Sequence, residues 1–238
     1  MSGHSKWSTI KRKKGAADAK RGIIFTRLSK DITVASRALG GNPDMNPTLR
    51  LAIKKAKAAN MPVSNIDRAI KKGTGDLPGI KYEDSLYECY GPEGVAILLE
   101  VLTDNKNRTV SEIKNILSKN GGNLGESGCV NWMFEKKGTI TILKKNLDED
   151  KALELLELDI EDFQTDEEYY IITTAPDDFD KVSENIENKN IDIDGEVSLI
   201  ASNIVKVSKK QSNKILTLLD LLDNHDDIQK VHTNFEIE

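Results

Sequence analysis

Residues 138–200 read GTITILKKNLDEDKALELLELDIEDFQTDEEYYIITTAPDDFDKVSENIENKNIDIDGEVSLI, and they alternate β-branched runs with acidic amphipathic segments. The runs predict four strands, near Gly138–Leu143, Ile160–Gln164, Tyr169–Thr174 and Asp192–Ile200. The intervening segments predict two helices, near Glu149–Glu157 and Asp177–Asn188. The resulting order, βαββαβ, is that of the ferredoxin-like fold, in which two helices cover one face of an antiparallel sheet.

The flanking segments predict a second α/β unit. An apolar run at Val95–Leu102 suits a central strand, and Asn107–Lys119 has the spacing of an amphipathic helix. A helix near Gln211–Leu222 and a strand near Gln229–Glu236 come after the ferredoxin-like stretch and have no partners nearby in sequence. They most simply complete the sheet that begins at Val95, with the ferredoxin-like unit inserted between its two parts.

The first third of the chain predicts three short helices. An apolar stripe indicates a first helix from Ala16 to Leu39, which Gly40-Gly41 ends. Asn46 and Pro47 then suit the N-cap and the first position of a second helix.

A third helix is predicted after these, and it completes a small bundle. Ser64 with Asp67 resembles a variant capping box at its start, and Gly73 suits its end. The change to Pro and Gly at Leu77–Gly79 indicates a domain boundary.

The expected fold class is therefore α+β, with three domains. They are a basic helical domain (residues 1–78), a discontinuous α/β domain (residues 79–133 plus 204–238), and an acidic ferredoxin-like α/β domain (residues 134–203) inserted into the second.

Charge is divided unequally along the chain. The net charge is −5, yet residues 1–75 hold 17 Lys and Arg against 4 Asp and Glu, and residues 76–238 hold 17 against 35. Basic segments bind phosphate backbones by neutralising them and releasing counterions, whatever the base sequence. The first third therefore predicts a nucleic-acid partner. Residues 148–194, with 18 Asp and Glu against 3 Lys, would repel phosphate. Three interpretations stay open for them: binding of a basic protein such as a ribosomal protein, folding over the basic domain when no nucleic acid is present, and solubility alone.

Three groups of side chains are candidates for nucleic-acid contact. The first is a basic arm, HSKWSTIKRKK at residues 4–14, in which Trp7 suits stacking on an unpaired base. The others are basic helix faces and the polar segment TDNKNRT at residues 103–109. Each group also has a structural explanation without a ligand. The arm could be a solvated tail, the basic helix faces could be ordinary solvent-exposed faces, and the polar segment could be a helix cap. The candidates are Lys6, Trp7, Lys11, Arg12, Lys13, Lys14, Lys20, Arg21, Arg50, Lys54, Lys57, Arg68, Lys71, Lys72, Lys106 and Arg108.

No catalytic, metal or cofactor site is predicted, and we expect a protein that is not an enzyme. The segment GGNLGESG, residues 121–128, lacks the patterns of phosphate-binding loops and suits a turn with positive φ. His4, His225 and His232 form no HxH or HExxH pattern, and Cys129 has no evident base. We expect no small-molecule substrate.

The two cysteines and the hydropathy predict a cytoplasmic protein. Cys89 and Cys129 lie far apart without a CxxC partner, which is typical of a reducing compartment. No apolar run is long enough to cross a membrane, and the basic start is followed by no apolar signal region.

Long motifs in the sequence resemble the YebC/PmpR family, which includes mitochondrial translational activators. The stretches that carry the resemblance are MSGHSKWSTIKRKKGAADAKRGIIFTRL, LRLAIKKAKAANMP, NIDRAIKKGTG, YGPEGVAILLEVLTDNKNRTVSEI, SKNGGNLGESGCVNWMFEKKG and VHTNFEIE. They cover nearly the whole chain. The resemblance implies a helical first domain and two α/β domains. It also implies a function as a DNA-binding transcriptional regulator or, alternatively, in translation at the ribosome.

Four positions depart from the family pattern. Ile23 stands where lysine is usual and Thr48 where arginine is common, so the basic face carries less charge here. Glu93 replaces a usual glycine, and His232 replaces a usual tyrosine. The leading hypothesis is a DNA-binding transcriptional regulator. The alternatives are a translation factor that binds ribosomal RNA and relieves difficult elongation, such as proline-rich stretches, and a protein-interaction module that acts through the acidic domain.

Overall fold

The computed structural model describes residues 18–78, 81–147 and 149–237. Three helices come first, α1 (Asp18–Leu39), α2 (Pro47–Ala58) and α3 (Val63–Thr74). The later helices are α4 (Lys106–Lys119), α5 (Glu149–Glu154), α6 (Phe179–Asn188) and α7 (Lys209–Asp223). The strands are β1 (Glu83–Tyr90), β2 (Ala96–Thr103), β3 (Asn123–Leu124), β4 (Phe134–Leu143), β5 (Asp162–Thr165), β6 (Tyr169–Thr174), β7 (Asp194–Ala201), β8 (Val205–Val207), β9 (Ile228–Thr233) and β10 (Phe235–Ile237). The fold is mixed α/β with an N-terminal helical region, as predicted.

The three N-terminal helices form a bundle because each has one apolar face. Ile32 of α1, Leu49 and Ala56 of α2, and Ile66 of α3 are buried against one another. The predicted cap of α2 is confirmed, since the Asn46 side chain accepts a hydrogen bond from the N–H of Leu49 at 3.0 Å. The Asn46 side-chain NH₂ group donates to two carbonyl oxygens at the end of α1, so this side chain fixes the turn between α1 and α2.

The predicted capping box of α3 is wrong. Pro62 occupies the N-cap position, and no side chain caps the helix there. The helix begins at Val63, so Ser64 lies inside it, where its hydroxyl cannot reach the amides that a cap must satisfy.

The predicted end of α3 at Gly73 is also wrong, because the helix continues to Thr74 and Gly75 takes the left-handed conformation with φ of 90°. Gly73 instead allows close packing. A Cβ atom at this position would lie 2.5 Å from the Thr33 carbonyl oxygen, so only glycine lets α1 and α3 approach this closely.

The first sheet has the strand order β3-β1-β2-β9, and its neighbours are antiparallel. Leu99 of β2 packs with Ile113 of α4 and Leu219 of α7 in a buried core. Strand β2 pairs with β9, which is more than a hundred residues away in sequence.

The predicted C-terminal strand is divided in two. Asn234 interrupts it, and its side-chain oxygen accepts a hydrogen bond from the N–H of Ala96 at 2.8 Å. After this point the chain leaves the first sheet, and β10 pairs in parallel with β8.

The second sheet has the strand order β5-β6-β4-β7, and every pairing is antiparallel. This is the order of a ferredoxin-like βαββαβ unit. Ile140, Ile172, Val182 and Ile186 are buried between the sheet and its helices. Within the described residues, no helix has both the length and the apolar character needed to cross a membrane.

Candidate nucleic-acid interface

Six cations lie on the outward faces of α2 and α3. They are Arg50, Lys54, Lys57, Arg68, Lys71 and Lys72, and we call them the basic surface. All six side chains are exposed, because the opposite faces of the two helices are buried in the bundle. In the part of the chain that the structure describes, none of the six forms an ion pair with an acid.

Acids are scarce on these two helices, with an electrostatic consequence: Asp67 of α3 is the one acid on them, and it forms no ion pair with the six cations. Neither α2 nor α3 has an acidic residue in its first turn, and lysines occupy the last turn of both. Like charges three or four residues apart on a helix repel each other unless an acid lies between them. A polyanion would relieve this repulsion.

Several predicted contact residues cannot be placed. Lys6, Trp7, Lys11, Arg12, Lys13 and Lys14 lie outside the described residues. Lys20 and Arg21 belong to the first turn of α1, but their side chains are not described.

The polar segment TDNKNRT forms the start of α4. Asn105 caps the helix by accepting a hydrogen bond from the N–H of Arg108 at 3.1 Å. Lys106 forms an ion pair with Glu83 at 2.9 Å, and both side chains are about half exposed. The helix cap therefore accounts for the asparagine, while both predicted cations share their charge with acids.

Arg108 belongs to a cluster around Asp227 that the sequence did not reveal. The Asp227 carboxylate accepts hydrogen bonds from Lys30 Nζ at 2.6 Å, from Arg108 Nη2 at 2.6 Å and from the Thr109 hydroxyl at 2.7 Å. Burial raises the pKa of Asp227, but these donors lower it by more, so the pKa lies well below its ordinary value. The carboxylate therefore stays charged at neutral pH.

Lys30 is the buried member of the cluster, with 6% of its surface exposed. Its ammonium group also donates to the carbonyl oxygens of Leu102 and Asp226. One helical turn away, Arg27 forms an ion pair with Asp223. We call Arg27, Lys30, Asp223 and Asp227 the junction, because they join α1 to the end of α7 and the turn before β9.

The sequence offered only a weak signal for the junction. Lys30 lies off the apolar stripe of α1, and its acidic partner is 197 residues away. The only local indication was the polar turn Asn-His-Asp-Asp near the C-terminus, which is also typical of any exposed turn.

The glycine-rich segment 121–128 has the predicted positive-φ glycines in turns on either side of the short strand β3, which the sequence did not predict. Gly121 and Gly128 have φ of 77° and 87°, values that glycine adopts without strain. The Glu88 carboxylate accepts hydrogen bonds from the N–H groups of Gly128, Val130 and Asn131 at 2.5–2.8 Å. Burial raises the pKa of Glu88 and these donors lower it by more, so its pKa is below the ordinary value. The Glu88 carboxylate thus already occupies these three backbone amides.

Two of the histidines are bonded to acids. His225 Nε2 lies 2.9 Å from Glu112, and His232 Nε2 lies 2.7 Å from Glu100. The ligand atoms of Glu112, His225 and Asp227 lie within 4.8 Å of one another, a grouping that could hold a metal ion. Because the Asp227 carboxylate is bonded to two side-chain cations, a metal ion there would have to compete with both.

Comparison with known proteins identifies the family. Residues 5–76 match the family model described as the TACO1/YebC protein N-terminal domain, and residues 82–235 match the model described as the TACO1/YebC second and third domain. The chain belongs to the TACO1/YebC family. The resemblance to the YebC/PmpR family that the sequence motifs carry is therefore confirmed.

Curated relatives of this TACO1/YebC member span its whole length. A protein of Desulforapulum autotrophicum is 55% identical, with 100% of this chain and 97% of the relative covered. One of Desulfotalea psychrophila is 54% identical, with 100% and 96% covered. Both carry the name "probable transcriptional regulatory protein". The crystal structure of a conserved hypothetical protein from Aquifex aeolicus is similar, with a TM-score of 0.82, 44% identity, and 93% and 92% of the two chains covered.

The turn between β1 and β2 holds a non-glycine residue in the left-handed region. Glu93 adopts φ of 61° in this TACO1/YebC member. A side chain in this left-handed region costs about 1–2 kcal/mol relative to a right-handed conformation, and glycine avoids that cost. Glycine at position 93 would therefore fit this turn with less strain.

Proposed function

We propose that this protein binds nucleic acid through its basic surface and regulates gene expression in the cytoplasm without catalysing a reaction. The observation that carries the proposal is the set of six exposed cations on α2 and α3 with no ion-pair partner among the described acids. Unneutralised cations bind phosphates and release condensed counterions, which provides affinity for any polyanionic strand. The arm of residues 4–14 would add five more cations to this surface.

DNA is the first target that we propose. The curated relatives are named as probable transcriptional regulatory proteins and match the full chain at above 50% identity. The name describes regulation of transcription, and we propose that this chain performs it by binding DNA.

Ribosomal RNA is the second target, and the composition of α2 favours it. Direct readout in the major groove uses Arg or Lys on guanine and Asn or Gln on adenine. Helix α2, PTLRLAIKKAKA, has no Asn or Gln and therefore no side chain that reads adenine, so we expect it to bind with little dependence on base sequence. Sequence-tolerant binding of this kind suits a ribosome-associated translation factor that relieves difficult elongation.

The acidic residues of the ferredoxin-like unit support a third role, the binding of basic proteins. Asp180, Glu184 and Glu187 are exposed on α6. We also propose the three-domain division given above, which the pairing of β2 with β9 on either side of the ferredoxin-like unit supports.

In-cell crosslinking followed by sequencing of the bound nucleic acid tests the proposal. Enrichment of discrete promoter DNA would support the transcriptional function, whereas enrichment of ribosomal RNA would support the translational one. Recovery of neither nucleic acid above the level of a non-binding control protein would refute both.

A second experiment tests the arm. Replacing Lys11, Arg12, Lys13 and Lys14 with Glu should weaken binding and flatten its dependence on salt, because up to four cations would no longer neutralise phosphates. Circular dichroism should show unchanged secondary structure. Unchanged affinity would exclude the arm from the interface.

A further inference from the structure

A cleft lies beside the contact between α1 and α3. The helices touch at Gly73, and the Thr33 hydroxyl of α1 donates to the Ala69 carbonyl oxygen of α3 at 3.2 Å. Next to this contact the same two helices line an open surface cleft with a volume of about 330 Å³. That volume is within the range of pockets that bind small ligands, which is about 300–1,000 Å³.

The walls of the cleft combine positive charge, hydrogen-bonding groups and an aromatic ring. Arg68 and Lys72 lie one helical turn apart on α3, so both cations face the same space. Ser29 and Asn65 contribute a hydroxyl and an amide, and Phe25 of α1 contributes a partly buried ring.

The polar groups of the cleft are available to a ligand. Arg68 and Lys72 are exposed and form no ion pair with a described acid. Within the described part of the chain, the Ser29 hydroxyl and the Asn65 side chain have no hydrogen-bond partner. The cleft therefore combines two cations of the basic surface with uncharged hydrogen-bonding groups.

We infer that this cleft binds one unpaired nucleotide of a single-stranded segment. Its phosphate lies between Arg68 and Lys72, its base packs on the Phe25 ring, and Ser29 and Asn65 bond to its polar edge. This inference rests on the proposed function and deepens it by naming an unpaired strand as the ligand. A base that is stacked and paired in a duplex cannot enter a cleft, whereas an unpaired base can be turned out of its strand and stacked on a side chain.

The test compares two ligands and two matched double variants of the full-length protein. Fluorescence anisotropy measures binding of an unstructured single-stranded RNA and of a DNA duplex of equal length. The cleft variant is Arg68→Gln/Lys72→Gln. The control is Arg50→Gln/Lys54→Gln, which removes the same charge from α2, outside the cleft.

The cleft variant should lose about tenfold more affinity for the single strand than for the duplex, because a base stacked on an aromatic side chain is worth about 1–3 kcal/mol and needs its phosphate held. The control should weaken both ligands equally. Equal losses for both ligands in both variants would overturn the inference, since the cleft would then act only as part of a positive surface. If the wild-type protein bound neither ligand at low salt, the proposed function itself would fail.

A third variant tests the aromatic ring. Phe25→Leu keeps an apolar side chain in the bundle, and it should reduce single-strand affinity by about fivefold while leaving duplex affinity unchanged. Unchanged single-strand affinity would exclude stacking.

A free nucleotide is the other source of this ligand chemistry. Titration with adenosine monophosphate distinguishes a free nucleotide from a nucleotide within a strand. If the ligand is a strand, we expect the monophosphate to displace it from the protein only weakly. Tight binding of the monophosphate, with strand affinity unaffected by the cleft variant, would overturn the assignment to a strand.

Discussion

Lys30 and Lys54 show what separates a structural cation from a binding one in this protein. Lys30 has 6% of its surface exposed and donates to one carboxylate and two carbonyl oxygens. Lys54 is exposed and has no ion-pair partner among the described residues. Both are lysines on helices of the same basic bundle, so residue type and local charge do not distinguish them. The distribution of acids in the folded chain does.

The difference extends to the two regions. At the junction, Asp223 and Asp227 neutralise Arg27 and Lys30, so these cations hold α1 against the end of α7 and the turn before β9. At the basic surface no described acid does so, and the charge remains available to a partner. If this distinction is correct, substitutions at the junction should affect stability, and substitutions at the basic surface should affect binding.

The largest effect is expected from Asp227→Ala. Removing one member of a buried ion pair leaves the other charge without compensation, which costs about 3–5 kcal/mol. We expect a loss of this size in the free energy of unfolding, measured by urea denaturation. Asp226→Ala is the matched control, because this neighbour is exposed and only its backbone carbonyl contacts Lys30. Equal stability of the two variants would show that the junction is not structural.

The next effect is expected from Arg50→Gln/Lys54→Gln/Lys57→Gln. Removing three cations that neutralise phosphates should reduce affinity for nucleic acid by about 100-fold at 0.1 M salt. Stability should change by less than about 0.5 kcal/mol, because the three side chains are on the surface.

The matched control for this triple variant is Lys114→Gln/Lys119→Gln/Lys214→Gln, which removes the same charge from exposed positions on α4 and α7. Its affinity should stay close to that of the wild type. If the two triple variants lost affinity equally, binding would depend on net charge and not on the basic surface.

Arg108→Gln provides an intermediate case, since the side chain is 44% exposed yet paired with Asp104 and Asp227. We expect a loss of at most about 1 kcal/mol in stability, because exposed ion pairs contribute little. Affinity for nucleic acid should fall by less than about threefold, against about five- to tenfold for Lys54→Gln. A larger binding loss for Arg108→Gln would show that a paired cation can still belong to the interface.

The smallest effect concerns pH. The pKa of Asp227 is lowered in the folded protein, so its contribution to stability is present above its ordinary pKa of 3.8 and is lost as pH falls below that value. The stability difference between the wild type and Asp227→Asn should be constant from about pH 7 to 5 and about 1 kcal/mol smaller near pH 3. Guanidinium denaturation at several pH values measures it. If the stability difference between the two proteins were the same at every pH, the pKa of Asp227 would not be lowered by folding.

Local patterns predicted the parts of the fold that local interactions form. The cap at Asn46 and the ferredoxin-like order were readable because each depends on residues close in sequence. Strand β1 was not predicted, since EDSLYECY mixes acids with apolar residues and is stabilised by pairing along its whole length with β2. The pairing of β10 with β8 depends equally on contacts that no local pattern contains.

The candidate site was predictable only in part, for the same reason. Helical spacing places Arg50, Lys54 and Lys57 opposite an apolar face, so their exposure could be expected. The pairing of Arg108 with Asp227 could not, because it joins residues 119 positions apart. Gly73 was misread as a helix end because glycine has the same sequence signature whether it ends a helix or permits a close contact.

The central claim is that the unpaired cations of the basic surface bind phosphates. The most direct test is the salt dependence of binding to duplex DNA, compared between the wild type and the Arg50→Gln/Lys54→Gln/Lys57→Gln variant. A plot of log Kobs against log salt concentration should be shallower for the variant by about 2–3 units, because each phosphate that is no longer neutralised reduces the slope by close to one unit. Parallel plots would contradict the account, because they would show that these three cations touch no phosphate.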